Sequence, residues 1–169
     1  SQFGRVFRAN RSALVRVRCE KPGARWADGV VIGAKGEVLL GVSPCLTPTM
    51  RVMTADGLER AAQVLGFDRK LGVAVARLEA ASAPRLVPPR VNLKAKLVPD
   101  QWMVVLTHDK KGQPTSHAGQ VARRTKGPRV PVDVPGRVGS PLFSAQGALV
   151  GISVTRGRRR VQVRPVASL

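Results

Sequence analysis

The sequence predicts an all-β protein made of two six-stranded antiparallel β-barrels with few short helices. Two observations support this fold class. Short apolar runs are separated by Gly, Pro and Asp turn signals along both halves of the 169-residue chain, and no long amphipathic helical pattern interrupts them. A stretch rich in Ala, Ser and Pro near the middle predicts a linker between two halves of similar size.

The first half begins with a basic lead-in, residues 1–12, whose few apolar side chains favour a short helix. Leu14–Cys19 then alternates apolar and charged residues, which is the period of a half-buried strand. Two glycine-bounded apolar runs after it predict a hairpin. The remaining strands follow turn signals, and the predicted strands of a first barrel at residues 13–80 are Leu14–Cys19, Gly29–Gly33, Glu37–Gly41, Met50–Met53, Glu59–Gly66 and Val73–Leu78.

A linker at residues 81–90 is predicted to precede a second barrel at residues 91–169. The strand pattern continues there, with candidates at Val91–Leu93, Trp102–Leu106, Ser116–Arg123, Arg129–Val134, Pro141–Ser144, Ala148–Val154 and Val161–Arg164. The final residues, Pro165–Leu169, are interpreted as the start of a closing helix.

The charge balance points to anionic partners. Lys and Arg number 29 against 10 Asp and Glu, which gives a formal net charge of +19. A field of this size attracts nucleic acid, an anionic surface or an acidic protein face. It carries no information about fold.

The two cysteines, Cys19 and Cys45, lack the spacing of a metal site, and the sequence indicates no metal and no cofactor. They can form one disulfide, or they can be two buried thiols. No run of 18 apolar residues indicates a transmembrane helix.

A glycine-rich loop and two short apolar strands form the most informative stretch of the chain. Gly136-Arg137-Val138-Gly139-Ser140-Pro141-Leu142 is followed by Gly147-Ala148-Leu149-Val150-Gly151-Ile152. This stretch resembles the nucleophile segment of trypsin-like serine proteases of the HtrA type, which reads G-N-S-G-G-P-L and continues G-E-V-I-G-I-N.

Four further blocks match that family in the same order, and the resemblance covers residues 13–169. The opening hairpin is matched by Asp28–Ser43, and the strand, D-G turn and strand that follow are matched by Met50–Gly57 and Val64–Asp68. The D-L-A-V-L-K-I strand is matched by Gly72–Leu78, and the G-D-x-V-x-x-I-G strand by Pro99–Thr107. The resemblance implies a trypsin-like fold.

The family's catalytic positions hold other residues here. Ser43 stands where the family has its histidine, Gly72 where it has its aspartate and Val138 where it has its serine. Triad chemistry needs a hydroxyl nucleophile, an imidazole base and an orienting carboxylate. The resemblance therefore implies a pseudoprotease that is not an enzyme.

Two alternatives concern what remains of the site. Ser140, Cys45 and the two histidines, His108 and His117, are the groups from which a relocated catalytic site could be built. The preferred interpretation is a structural serine and ordinary loop histidines. The glycines of the loop also allow its turn to persist, and in the family that turn binds a carbonyl oxygen through backbone N–H groups.

The remaining function is assigned to the basic clusters. The predicted partner-binding or anion-binding residues are Arg123, Arg124, Lys126, Arg129, Arg156, Arg158, Arg159 and Arg160. The first hypothesis is a protein-binding or structural subunit of a larger assembly, which holds an acidic or anionic surface. The alternative is a protein that binds nucleic acid or another anionic polymer. The family resemblance further implies a bacterial protein outside the cytoplasm, in the periplasm or at the cell surface.

Overall fold

The computed structural model describes residues 1–79, 86–123 and 127–169. Residues 81–85 of the predicted linker at residues 81–90, together with the predicted binding residues Arg124 and Lys126, lie outside these ranges. No helix in the described residues is long and apolar enough to cross a membrane.

The first six strands form a closed antiparallel barrel. They are β1 (Leu14–Cys19), β2 (Ala27–Val31), β3 (Glu37–Gly41), β4 (Thr49–Met53), β5 (Glu59–Asp68) and β6 (Val73–Leu78), and their order around the barrel is β1-β2-β3-β6-β5-β4. Strand β1 closes the barrel by pairing with both β2 and β4. The barrel interior is aliphatic, as the predicted alternation requires, and Val15, Val30 and Leu40 are fully buried.

The other six strands form one curled antiparallel sheet. They are β7 (Trp102–His108), β8 (Pro114–Gln120), β9 (Val130–Val132), β10 (Pro141–Ser144), β11 (Leu149–Ser153) and β12 (Val161–Pro165), in the order β8-β7-β10-β11-β12-β9. An isolated bridge between Val121 and Val132 brings the chain just after β8 to β9. The fold class is the predicted one: the first half is a closed barrel, and the second half is a curled half-barrel.

One strand prediction in the second half is wrong. Val91–Leu93 is not a strand, because only Val91 forms a bridge, to Leu149. The Asn92 side chain accepts the Lys94 N–H at 3.1 Å, which turns the chain away from the sheet. The segment interpreted as the start of a closing helix contains a short 3-10 helix, Val166–Ser168.

The basic lead-in is a helix, α1 (Gln2–Asn10), that packs against the second sheet. Ser1 caps it, because its hydroxyl accepts the Gly4 N–H at 3.0 Å. Phe3 lies 5.7 Å from the ring of Trp102, and Gln2 donates to the Ala145 carbonyl at 3.0 Å. The helix therefore contacts strand β7 and the β10–β11 turn.

The two halves share one apolar interface. A single buried cluster contains first-barrel residues such as Leu40 together with Val104, Phe143 and Ile152 of the second sheet. The buried Arg164 adds polar contacts, since it donates to the carbonyls of Lys70 and Leu71 at 2.9 and 3.1 Å. This close packing fixes the geometry of the cleft between the halves.

Candidate functional site

The loop from Gly136 to Ser140 keeps a tight turn that requires glycine. The Arg137 N–H donates to the Ser140 hydroxyl at 2.9 Å, and the Ser140 N–H donates to the Arg137 carbonyl at 3.2 Å. Gly139 has φ +86°, and a Cβ there would lie 1.8 Å from the Asp28 carbonyl oxygen. Any other residue at 139 would push the loop away from β2.

The segments that carry Gly72 and Val138 meet at the end of β3. A Cβ on Gly41 would lie 2.3 Å from a Val138 methyl group, and the Val42 N–H donates to the Gly72 carbonyl at 3.1 Å. Ser43 follows directly and is exposed. The structure therefore brings Gly72 and Val138 to the strand end that precedes Ser43.

The backbone N–H of Gly136 is already bonded within the protein. Gly136 and Gly157 form an antiparallel bridge in which each N–H donates to the carbonyl of the other, at 2.9 and 3.0 Å. The sequence left open that this turn binds a carbonyl oxygen; the Gly136 N–H does not contribute to such binding in this structure, because the segment after β11 accepts its hydrogen bond.

A buried carboxylate joins the two halves beneath the loop. Asp28 is fully buried, and its Oδ2 accepts hydrogen bonds from Thr107 at 2.5 Å and Ser140 at 2.7 Å. Its Oδ1 lies 2.7 Å from Nδ1 of His108, which is also buried. The Asp28 backbone N–H donates to the Val138 carbonyl at 2.9 Å.

Ser140 and His108, two of the groups considered for a relocated site, meet this carboxylate rather than each other. Ser140 is fully buried, and its proton is directed to Asp28 instead of an imidazole. A nucleophile needs access to substrate, and the Ser140 hydroxyl is buried.

The other two groups are also apart from this cluster. His117 is exposed on β8, opposite Val105. Cys45 forms a disulfide with Cys19, with a Cα–Cα distance of 5.8 Å. Of the two alternatives left open by the sequence, the structure therefore contains the disulfide.

Sequence reasoning missed Asp28 and Thr107 as site residues. The sequence contained one signal, a carboxylate directly before the apolar residues of a predicted strand. The structure shows that Asp28 belongs to strand β2 and is buried there. A buried carboxylate requires hydrogen-bonding partners, but the sequence alone could not say which ones.

A cleft of about 930 Å³ opens beside this cluster. Val138, Gly136 and Gly157 line it together with His108 and Trp26. Its wall is strongly basic, and the cationic lining residues are Arg25, Lys110, Arg137, Arg156 and Arg158.

The carboxylate of Asp109 lines the cleft and accepts hydrogen bonds from backbone N–H groups. It accepts the N–H groups of Gln113 and Lys111 at 2.9 Å each. The hydrogen bond from Gln113, followed by that from Lys111, holds the pKa of Asp109 below its ordinary value.

Comparison with known proteins identifies the family. The trypsin-like peptidase domain family matches residues 27–152, about three quarters of the chain. The chain belongs to the trypsin-like peptidase family. No curated protein sequence matches it.

The solved structures give the same fold for the trypsin-like domain. It is similar to the serine endoprotease from Yersinia pestis, with a TM-score of 0.84 and 18% sequence identity. The match covers 99% of this chain and 64% of the endoprotease. The likeness establishes the fold, and the chain spans under two thirds of that protein's length.

A second layer of arginines lies behind the cleft wall of the trypsin-like domain. Arg16 and Arg18 lie over the ring of Trp26, with guanidinium carbons 4.9 and 4.6 Å from its centroid. Burial lowers the pKa of Arg16, and the positive charge of Arg137 lowers it further. Positive charge is therefore concentrated on this side of the domain.

The predicted binding residues of the trypsin-like domain fall into three groups. Arg156 and Arg158 line the cleft. Arg123 and Arg160 are paired with Asp100 and Asp133, at 3.2 and 2.7 Å. The third group, Arg129 and Arg159, is exposed outside the cleft lining.

Proposed function

We propose that this chain is a non-hydrolysing trypsin-like domain that binds a protein partner through its arginine-rich surfaces, as a subunit of a larger assembly. The observation that carries the proposal is the environment of Val138. At the position that resembles the family's nucleophile, the side chain is a methyl-bearing group packed at Gly41, which offers no atom for covalent catalysis.

The base and the orienting carboxylate are replaced as well. Ser43 and Gly72 stand at those positions. The two imidazoles of the chain do not restore the triad. His108 holds a carboxylate, Asp28, through Nδ1 as a triad histidine does, but the nearby Ser140 hydroxyl is directed to that carboxylate and not to the imidazole. His117 is exposed on strand β8. All three roles of the triad would therefore lack their chemical group.

The hydrogen bond of the Gly136 N–H to Gly157 also supports a non-hydrolysing domain. Trypsin-like catalysis uses free backbone N–H groups to stabilise the oxyanion, and loss of one such donor typically slows catalysis about 100- to 1,000-fold. The N–H of Gly136 donates to Gly157 at 2.9 Å. Use of this donor for an oxyanion would require the bridge to break first.

The charge distribution supports protein binding. Arg129, Arg158 and Arg159 are exposed, and within the described ranges none of them lies at ion-pair distance from a carboxylate. With a net charge of +19, the cationic side chains repel one another in the folded state. An acidic partner would neutralise it.

The proposal also includes a location outside the bacterial cytoplasm. The Cys19–Cys45 disulfide favours an oxidising environment such as the periplasm or the cell surface. The resemblance to proteases of the HtrA type supports an extracytoplasmic location in a bacterium.

The experiment is purification of the tagged protein from its native source, beside two charge-matched variants. Arg129→Glu/Arg158→Glu/Arg159→Glu reverses the exposed cations, and Lys21→Glu/Lys35→Glu/Lys96→Glu reverses three exposed lysines elsewhere. We expect one protein to co-purify in a fixed ratio with the wild type and the lysine variant, and to be lost from the arginine variant. Recovery of nuclease-sensitive nucleic acid instead, or of no partner, would contradict the proposal.

A further inference from the structure

The cleft between the two halves has the chemistry of an anion-binding site. We propose that it binds a short acidic peptide segment of the protein partner and retains it without cleavage. This inference rests on the proposed function and names the chemistry of the segment that the domain recognises.

The first argument is uncompensated charge. Five cationic side chains line the cleft, and its carboxylate, Asp109, is bonded to backbone N–H groups. Within the described ranges, Arg25, Lys110 and Arg156 form no ion pair with a carboxylate. A ligand that brings carboxylates into the cleft would therefore gain charge-assisted hydrogen bonds without displacing an existing partner.

The second argument is the fixed orientation of Arg137. Its Nε donates to the His108 carbonyl at 3.1 Å, and one terminal nitrogen donates to the Asp109 carbonyl at 3.3 Å. Both acceptors are neutral, so the positive charge remains available. A guanidinium held in this way loses little side-chain freedom when it binds a carboxylate.

The third argument concerns the class of ligand. Single-stranded nucleic acid is held by aromatic rings on which bases stack. The aromatic rings of the cleft lining are the indole of Trp26 and the smaller imidazoles of His108 and His117. Arg16 and Arg18 already lie over the Trp26 ring, and His108 is buried. The cleft thus offers arginine forks and little stacking surface, which favours carboxylates.

Size and the missing nucleophile complete the argument. A volume of about 930 Å³ lies within the range of small-ligand sites and suits a short segment rather than a folded surface. Val138 lines the same cleft. A peptide bound there would meet a methyl group at the position of the family's serine.

The experiment measures binding of a rhodamine-labelled ten-residue polyglutamate peptide to the whole protein by fluorescence anisotropy, at about 50 mM salt. A polyglutamine peptide of equal length and a single-stranded oligonucleotide serve as comparison ligands. The cleft variant is Arg25→Glu/Lys110→Glu/Arg156→Glu, and Lys21→Glu/Lys35→Glu/Lys96→Glu has the same change in net charge away from the cleft. All six side chains are exposed, so both variants should fold.

We expect the wild type to bind the polyglutamate peptide and not the polyglutamine peptide. The cleft variant should raise the Kd at least ~10-fold, which is about 1.4 kcal/mol, while the lysine variant should raise it far less. Equal effects of the two variants, no binding of the acidic peptide by the wild type, or tighter binding of the oligonucleotide would overturn the inference.

The outcomes separate this inference from the proposed function. If the cleft variant binds the peptide normally and Arg129→Glu/Arg158→Glu/Arg159→Glu still loses the native partner, the cleft inference fails and the proposed function stands. Cleavage of the bound peptide, seen by mass spectrometry, would contradict the proposed function itself.

Discussion

Gly136 and Gly157 exchange two backbone hydrogen bonds, at 2.9 and 3.0 Å, in the lining of the cleft. The loop after β9 has kept its turn, because Gly139 still packs against the Asp28 carbonyl. One of its donors is nevertheless consumed by the neighbouring segment. The loop therefore has the turn of a trypsin-like site while the Gly136 N–H is bonded within the protein.

Restoring the triad residues should not restore hydrolysis. In Ser43→His/Gly72→Asp/Val138→Ser, the aspartate must adopt φ +81°, with its Cβ 3.2 Å from a Val154 methyl group. That backbone conformation is unfavourable for residues other than glycine. We expect no turnover of a fluorogenic peptide above the buffer rate, with Val138→Ser as the control for folding. Turnover by the triple variant would show that the site is intact apart from its side chains.

Removing the Asp28 carboxylate should destabilise the fold. Asp28→Ala removes the buried partner of Thr107, His108 and Ser140. The Ser140 hydroxyl keeps Thr107 as an acceptor at 3.1 Å, which leaves Thr107 and His108 orphaned. Each orphaned buried group costs roughly 1–3 kcal/mol. We expect the free energy of unfolding in urea to fall by about 3 kcal/mol or more. Asp133→Asn, at an exposed ion pair, should change it by at most about 0.5 kcal/mol. Similar values for both variants would refute the role given to Asp28.

Reduction of the disulfide should lower stability without altering the fold. Cys19 and Cys45 are separated by 26 residues, and closing a loop of that length stabilises a protein by about 3 kcal/mol in the chain-entropy treatment. Thermal unfolding should shift to lower temperature in dithiothreitol. Cys19→Ser/Cys45→Ser should melt at the lower temperature under both conditions. A wild-type melting temperature that is the same with and without dithiothreitol would contradict this expectation.

The Asp56–Arg60 pair should make stability sensitive to acid. The hydrogen bond from Arg60, and then that from Thr54, holds the pKa of Asp56 well below its ordinary value. A lowered folded-state pKa contributes stability that is present above the ordinary value, about 4, and is lost as the pH falls below it.

Asp56→Asn tests this contribution. Since Asp56 is partly exposed and Arg60 is buried, the variant should lose roughly 1 kcal/mol at neutral pH. The difference from the wild type should shrink as the pH falls below about 4. If the difference in unfolding free energy between the wild type and Asp56→Asn is the same at every pH, the Asp56–Arg60 pair does not contribute the stability assigned to it.

The strands of the first barrel were predictable because their signal is local. Alternation in Leu14–Cys19 and the glycine-bounded hairpin after it place each strand within a residue or two of its observed ends. Val91–Leu93 failed because a three-residue apolar pattern does not reveal that Asn92 will cap a turn. Local pattern therefore determines most of the fold.

The site was less predictable because its contacts are long-range. His108 and Ser140 meet Asp28 across 80 and 112 residues, and nothing near any of them in the sequence indicates the others. The sequence likewise showed that the arginine clusters are positively charged, but it did not show which arginines form ion pairs and which line the cleft. Only the fold shows that Arg123 and Arg160 are paired and that Arg156 lines the cleft.

The most direct test of the central claim, that the scaffold does not hydrolyse peptides, is reaction of the repurified protein with a fluorophosphonate. Intact-mass spectrometry and a casein digestion assay would be run in parallel, with trypsin as the positive control. The account predicts an unmodified mass and undegraded casein. A stoichiometric adduct on a serine, together with casein cleavage that disappears in Ser140→Ala, would contradict it.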